Sequence, residues 1–135
     1  MYILDSCVCI NLMRGRLPHT MQLMMQSSPA LYKVPYIVEA ELMCGVEKSS
    51  DKQRVRMLTE NFLAPFERVA FDSNCARTYA KTRAHLEQRG MKIGPNDLII
   101  AATALANNAT VITQNLTEFK RVPGLSVENW EEIEI

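Results

Sequence analysis

An α/β domain with a central, mainly parallel β-sheet flanked by helices is what this sequence predicts, and three features carry the prediction. Short apolar runs with strand character alternate with helical segments along the whole chain, the pattern of βα units. The length, 135 residues, suits one domain, 1–135, with enough material for a core that needs no disulfide or metal staple. Apolar content of 47% and charged content of 22% match an ordinary globular domain, and no repeat, low-complexity stretch or linker interrupts the chain.

The elements follow in order. Tyr2-Ile3-Leu4 is a short strand ending at Asp5. Ser6 is the expected cap of the next helix, where Val8/Leu12 and Cys9/Met13 stand at i,i+4 spacing and Gly15 supplies the stop. Leu17-Pro18 opens a second, Met-rich helix to about Gln26, broken by Ser27-Ser28-Pro29. Leu31 to Val34 is a strand, and Ile37 to Val46 a helix carrying Glu41. Asp51 caps a helix with Val55, Leu58 and Phe62 at helical spacing, stopped by Pro65. Arg68 to Phe71 is a short strand. Asp72 caps a long helix to about Arg89, closed by Gly90. Gly94-Pro95 starts a helix from Asn96 to Asn107 that is apolar around most of its circumference, the mark of burial. Thr110 to Thr113 is a strand, Leu116 to Phe119 a short helical segment, and Leu125 to Val127 an edge strand.

Lys plus Arg equals Asp plus Glu, so no global basic field advertises a nucleic-acid partner; a local patch would have to serve. No secretory signal precedes the first strand, and no apolar run reaches the ~18–20 residues of a membrane span, so a cytoplasmic protein without membrane contact is expected. Cys7, Cys9, Cys44 and Cys75 are expected as free thiols. Cys7 and Cys9 form C-x-C rather than C-x-x-C, with no second pair to complete a thiolate metal site.

The acids hold the chemistry. Of the four Asp, Asp51 and Asp72 begin helices at polar junctions, where capping accounts for them. Asp5 directly follows an apolar strand. Asp97 stands in the first turn of the most apolar helix, where the helix dipole favours a carboxylate. Glu41 and Glu39 share one helix, and their spacing does not separate them. Glu118 lies in a turn after a strand. In parallel sheets ligands bind beyond the carboxyl ends of the strands, which points to Asp5, Asn115 and Glu118. Converging carboxylates repel one another and take up protons unless a cation neutralises them. Oxygen-only ligation suits Mg²⁺ or Mn²⁺ rather than zinc, and such a site suits hydrolysis of a phosphodiester.

Four motifs, in order, resemble a known family. They are Tyr2-Ile3-Leu4-Asp5-Ser6; Ala40-Glu41-Leu42 with Gly45 and Glu47-Lys48-Ser49; Ile93-Gly94-Pro95-Asn96-Asp97 with Ile100-Ala101-Ala102; and Thr113-Gln114-Asn115 with Glu118 through Leu125 and Glu128-Asn129-Trp130. With these the chain resembles, over essentially its full length, PIN-domain ribonucleases of the VapC toxin type. The resemblance implies a single PIN-like three-layer domain. It implies a Mg²⁺- or Mn²⁺-dependent endoribonuclease toxin that cuts RNA, tRNA among its substrates. Asp5, Glu41 and Asp97 match the metal-binding catalytic acids, and the match selects Glu41 over Glu39. Glu118 matches a fourth acidic position, commonly Asp, where the longer arm allows ligation through water. Ser6 and Asn115 match polar residues supporting the pocket. The chain departs at Cys7, where the family carries Asn. A VapB-type antitoxin partner and a homodimer are also implied.

Candidate phosphate contacts on RNA are Arg14 and Arg16 after the first helix, Arg89 and Lys92 before the Asp97 helix, and Lys120 and Arg121 after Glu118. Arg83 falls on the otherwise core-facing stripe Ala76, Tyr79, Leu86 and is expected to snorkel to solvent. The Val55/Leu58/Phe62 face and Met21, Met24 and Met25 are candidate walls of an apolar groove for a partner helix, with core packing as the alternative. A non-catalytic PIN module that binds RNA or protein is the alternative function, and Cys7 is its support.

Overall fold

The computed structural model describes residues 1–132; residues 133–135, the end of the expected domain, lie outside the described residues. Strands β1 (Tyr2–Leu4), β2 (Tyr32–Pro35), β3 (Glu67–Val69), β4 (Thr110–Ile112) and β5 (Ser126–Glu128) form one sheet in the order β3-β2-β1-β4-β5. Every pairing is parallel: Ile3 stands opposite Lys33 on one side and Val111 on the other. The helices α1 (Ser6–Met13), α2 (Pro18–Met25), α3 (Tyr36–Glu47), α4 (Lys52–Leu63), α5 (Ser73–Gln88), α6 (Pro95–Ala106) and α7 (Leu116–Phe119) flank it. This is the α/β architecture expected from the alternating pattern.

β1 is the central strand, so Ile3 and Leu4 are fully buried and meet Val34, Val111 and Ile112 in the core. The chain winds from β1 to β2 and β3 on one side, then crosses to β4 and β5 on the other. The winding therefore reverses between β1 and β4, and their carboxyl ends open a crevice there. α6 buries Leu98, Ile100, Ala101, Ala102, Thr103 and Ala104, as its continuous apolar sequence requires. Its small alanines allow close packing beside α5, the partner it touches most extensively.

Boundaries moved where local chemistry outweighed periodicity. Pro29–Leu31 forms a 3-10 turn capped by Ser28, so β2 begins at Tyr32 rather than Leu31 and runs on through Pro35. β3 is shifted to Glu67–Val69, in register with Lys33 through Pro35. The N-terminus of α2 has no capping side chain of its own at Leu17. Glu131, far along the chain, supplies one: its carboxylate accepts from the Thr20 N–H at 2.9 Å, the Thr20 hydroxyl at 2.8 Å and the His19 N–H at 3.3 Å. Trp130 beside it packs edge-on against Tyr2 and Tyr32, with ring centroids 4.9 and 5.7 Å away.

Arg83 is exposed and ion-paired to Glu87 at 2.8 Å, as the snorkelling expectation required. The methionines of α2 divide: Met24 is in the core, and Met25 is 78% exposed. On α4, Val55 and Phe62 are half-buried, whereas Met57 and Leu58 face solvent. Among the described residues, no helix is long and apolar enough to cross a membrane.

Candidate active site

Asp5 sits where β1 hands over to α1, and it corrects one sequence expectation. Asp5, not Ser6, is the N-cap: its backbone is extended (φ −82°, ψ 171°), and its carboxylate accepts from the Val8 N–H at 2.8 Å. Ser6 is already helical, because the strand ends one residue earlier than a serine cap would need. The second carboxylate oxygen of Asp5 accepts from the Thr113 hydroxyl at 2.5 Å. Thr113 leaves β4 at the same end of the sheet, and its hydroxyl in turn accepts from the Asn115 N–H at 2.9 Å. Donation thus runs from Asn115 through Thr113 to Asp5, each bond polarising the next. Asp5 is 3% exposed. Burial pushes its pKa up, the bonds from Thr113 and Val8 pull it back, and the charge of Glu41 raises it again. Thr113 is the site residue that sequence reasoning missed; its signal was a hydroxyl at the carboxyl end of the strand beside β1.

Ser6 has a different task. Its hydroxyl donates to Glu41 at 2.5 Å, which turns that carboxylate of α3 toward Asp5. Glu39, two residues earlier, faces elsewhere and pairs with Arg68 at 3.1 Å. Spacing could not choose between the two glutamates, but their partners do.

Asp97 is in the first turn of α6. Its pKa is raised from 3.8 to about 6, first by partial burial and then by the charges of Glu118, Asp5 and Glu41. Asp97 thus feels the other three acids at once. A methyl group added at Gly94 would lie 3.4 Å from a Glu118 oxygen and 3.8 Å from an Asp97 oxygen, so these two carboxylates flank one glycine. Among the described residues no hydrogen-bond donor reaches Asp97. Glu118 is engaged at both oxygens, by the Gly94 N–H and by the Asn115 amide at 2.6 Å.

Among the described residues no three acids already close to ligating distance around a single point. Without a counter-charge, carboxylates gain by standing apart. The donor chemistry nevertheless fits a hard divalent cation, since it is all oxygen. Cys7, exposed on α1, brings a soft sulfur close to the acids; protein crowding and the charges of Asp5, Asp97 and Glu41 push its thiol pKa up. It stays protonated at neutral pH and is a poor ligand.

The six basic candidates, Arg14, Arg16, Arg89, Lys92, Lys120 and Arg121, are all exposed. None is salt-bridged to an acid among the described residues. Arg121 donates to the Lys92 carbonyl at 2.5 Å, which brings these two beside the Asp97 loop. Among the described residues no hydrogen bond or ion pair brings Arg14, Arg16, Arg89 or Lys120 to the acids.

Known proteins resemble the chain over nearly its whole length. The PIN domain family matches residues 2–125. The chain belongs to the PIN-domain family. Within it, the chain is 38% identical over 133 residues to Ribonuclease VapC2 of Rickettsia felis, covering 96% of this chain and 98% of the relative. It is 30% identical to the tRNA(fMet)-specific endonuclease VapC of Salmonella typhimurium, covering 96% and 97%. Solved structures agree: VapBC2 from R. felis bound to a promoter DNA fragment superposes with a TM-score of 0.86 at 36% identity over 96% of this chain and 98% of that one. DNA-bound VapBC from S. typhimurium gives 0.91 at 30% identity over 96% and 97%. This PIN domain is thus of the VapC ribonuclease type.

Proposed function

We propose that this VapC-type PIN domain, a single domain over 1–135, is a Mg²⁺- or Mn²⁺-dependent endoribonuclease whose cation is held by Asp5, Glu41 and Asp97, with Glu118 on the same rim. The observation that carries the metal dependence is Asp97. Three acids from separate elements crowd a half-buried carboxylate that, among the described residues, lacks a donor, and its pKa rises to about 6. A carboxylate placed so is matched to a cation rather than to a protein partner. When bound, the cation supplies an ionised water at neutral pH and neutralises charge at the scissile phosphate.

The chain's own residues do the rest. Thr113 and the Val8 N–H keep Asp5 oriented and favour its charged form. Ser6 turns Glu41 toward the rim. Lys92 and Arg121, beside the Asp97 loop, are the best-placed of the six cations to meet the flanking RNA phosphates. Asn115 supports the pocket through both its N–H and its amide.

The relatives assemble as VapBC pairs, and a VapB-type antitoxin is the proposed partner here; homodimer formation belongs to the same proposal. Exposed Met25 on α2 and Met57 and Leu58 on α4 provide apolar surface for a partner helix.

The test is cleavage of RNA by purified protein with and without EDTA, beside Asp5→Asn and Asp97→Asn. Cleavage by the untreated wild type alone is expected. Equal cleavage in all samples would mean a contaminant. Tight RNA binding without turnover in any metal would favour the non-catalytic module.

A further inference from the structure

We infer that Asn11 and Gln114 form a base-reading pair: together they bind the edge of an unpaired nucleobase next to the phosphate that is cut, and so set which RNA sequence is cleaved. The inference rests on the ribonuclease reading above and deepens it from the chemistry to the choice of substrate.

Two elements meet here. On α1, Cys7 and Asn11 stand four residues apart on one face of the helix. Cys7 lies in the field of Asp5, Asp97 and Glu41, and Asn11 is one turn, about 5.4 Å, beyond it along that face. Gln114 enters from the other side, in the loop after β4. Its chain neighbours both serve the acids: Thr113 donates to Asp5, and Asn115 donates to Glu118. The Asn11 amide donates to the Gln114 side-chain oxygen at 2.8 Å, across 103 positions of sequence. The bond joins two walls of the crevice at its rim, and it does so at the surface, with Gln114 exposed.

This bond leaves hydrogen-bonding capacity over. Among the described residues, Asn11 Oδ1 and Gln114 Nε2 have no protein partner. The shared bond fixes both amides, so an acceptor and a donor are offered side by side. Such a pair complements a nucleobase edge, which sets a donor beside an acceptor, and Asn and Gln read bases in this way. It is a poor seat for a phosphate, whose oxygens would meet the Asn11 oxygen without a cation between them. RNA loops present bases with these edges free. Arg14, exposed at the C-cap of α1, follows three residues after Asn11 and suits the phosphate beside the bound base. Cations on phosphates hold the backbone and carry no sequence information. The neutral amide pair supplies it.

The experiment uses the full chain, Mn²⁺ and an RNA hairpin with a randomised loop, and compares wild type, Asn11→Leu and Gln114→Leu. Sequencing of the cut ends gives the base frequencies on each side of the cut, and electron paramagnetic resonance gives Mn²⁺ affinity. Wild type should favour one base at a flanking position by about fivefold or more, the lower end of what a bidentate base contact supplies. Each variant should flatten that preference to within about twofold, with Mn²⁺ affinity and the preferences at other positions unchanged. A variant that keeps the wild-type preference, whatever its rate, overturns the inference, because a purely structural bond would slow all sequences alike. A wild type with no flanking preference overturns it too. Should Asn11→Leu fail to fold, exposed Gln114→Leu decides alone. A wild type that cuts no RNA in any metal overturns the ribonuclease reading, and the same library retained on filters in Ca²⁺ then judges the base contact. Base enrichment by wild type that both variants lose upholds it; equal pools from all three proteins overturn it.

Discussion

Removing the charge of Asp97 should make the metal-free protein more stable while ending its cleavage of RNA. The carboxyl is lifted from 3.8 to about 6 by partial burial and by Glu118, Asp5 and Glu41. At about 1.36 kcal/mol per pH unit, holding it charged at pH 7.5 costs up to about 3 kcal/mol. The group is half in solvent, which screens the repulsion, so about 1–1.5 kcal/mol is the better expectation. For a chain of 135 residues, with unfolding entropy of about 2.1 cal/mol/K per residue, this is a rise of roughly 4–5 °C in Tm. Asp97→Asn removes the charge and keeps the shape.

The pH dependence fixes the sign. Between 3.8 and about 6 the folded protein keeps a proton on Asp97 that the unfolded chain has released. Stability therefore falls as pH rises through that window and loses nothing further from this group above it. Asp97→Asn has no such component, so its advantage is full above pH 6 and fades toward pH 4. Thermal melts followed by circular dichroism in EDTA, at pH 4.5 and 7.5, measure this. Added Mg²⁺ should raise the Tm of wild type but not of the variant. A variant no more stable than wild type at pH 7.5, or equally favoured at both pH values, would refute the argument.

Three further outcomes are expected. Thr113→Val leaves one oxygen of buried Asp5 without its donor, costs about 1–2 kcal/mol in urea unfolding, and moves the acid limb of the cleavage profile to higher pH, because the lost bond had favoured the charged form; an unmoved limb would exclude Asp5 from the chemistry. Glu41→Gln should lower kcat at least tenfold, whereas Glu39→Gln disturbs only the Arg68 pair and leaves kcat within about twofold; equal losses would dissolve the distinction. Glu131→Gln cannot accept all three bonds from His19 and Thr20, so the urea midpoint should fall by an amount worth about 1–2 kcal/mol, and an unchanged midpoint would show that α2 holds its place without the clamp.

Much of this was legible in the residues, and the exceptions share a cause. Asp51 and Asp72 cap α4 and α5 as their positions implied, through Arg54 and Cys75 N–H groups. The burial of α6 was written in Leu98 through Ala106. Asp5 was conspicuous as a carboxylate closing an apolar strand. What stayed hidden depends on contacts distant in sequence. Glu41 was separable from Glu39 only by the family's motif, because Ser6 and Arg68, which sort them, come from other elements. Thr113 looked like an ordinary strand residue because its partner, Asp5, is 108 positions away. Glu131 gave no local signal, because the helix it caps lies more than a hundred residues upstream. Local pattern reveals capping and burial; it does not reveal which distant backbone needs an acceptor.

Asp5 and Asp97 show how one fold treats two carboxylates at the same crevice in opposite ways. Asp5 is nearly inaccessible, yet it receives the Val8 N–H and the Thr113 hydroxyl, which offset part of its burial with or without a cation. Asp97 is more open and receives no donor among the described residues, so above about pH 6 its charge is relieved by a cation rather than by the protein. Asp5 is thereby a fixed anchor, and Asp97 is the group whose state depends on occupancy. Asp5 is held by its own strand, helix and neighbouring strand, whereas Asp97 sits at the start of a helix entered through Gly94 and Pro95.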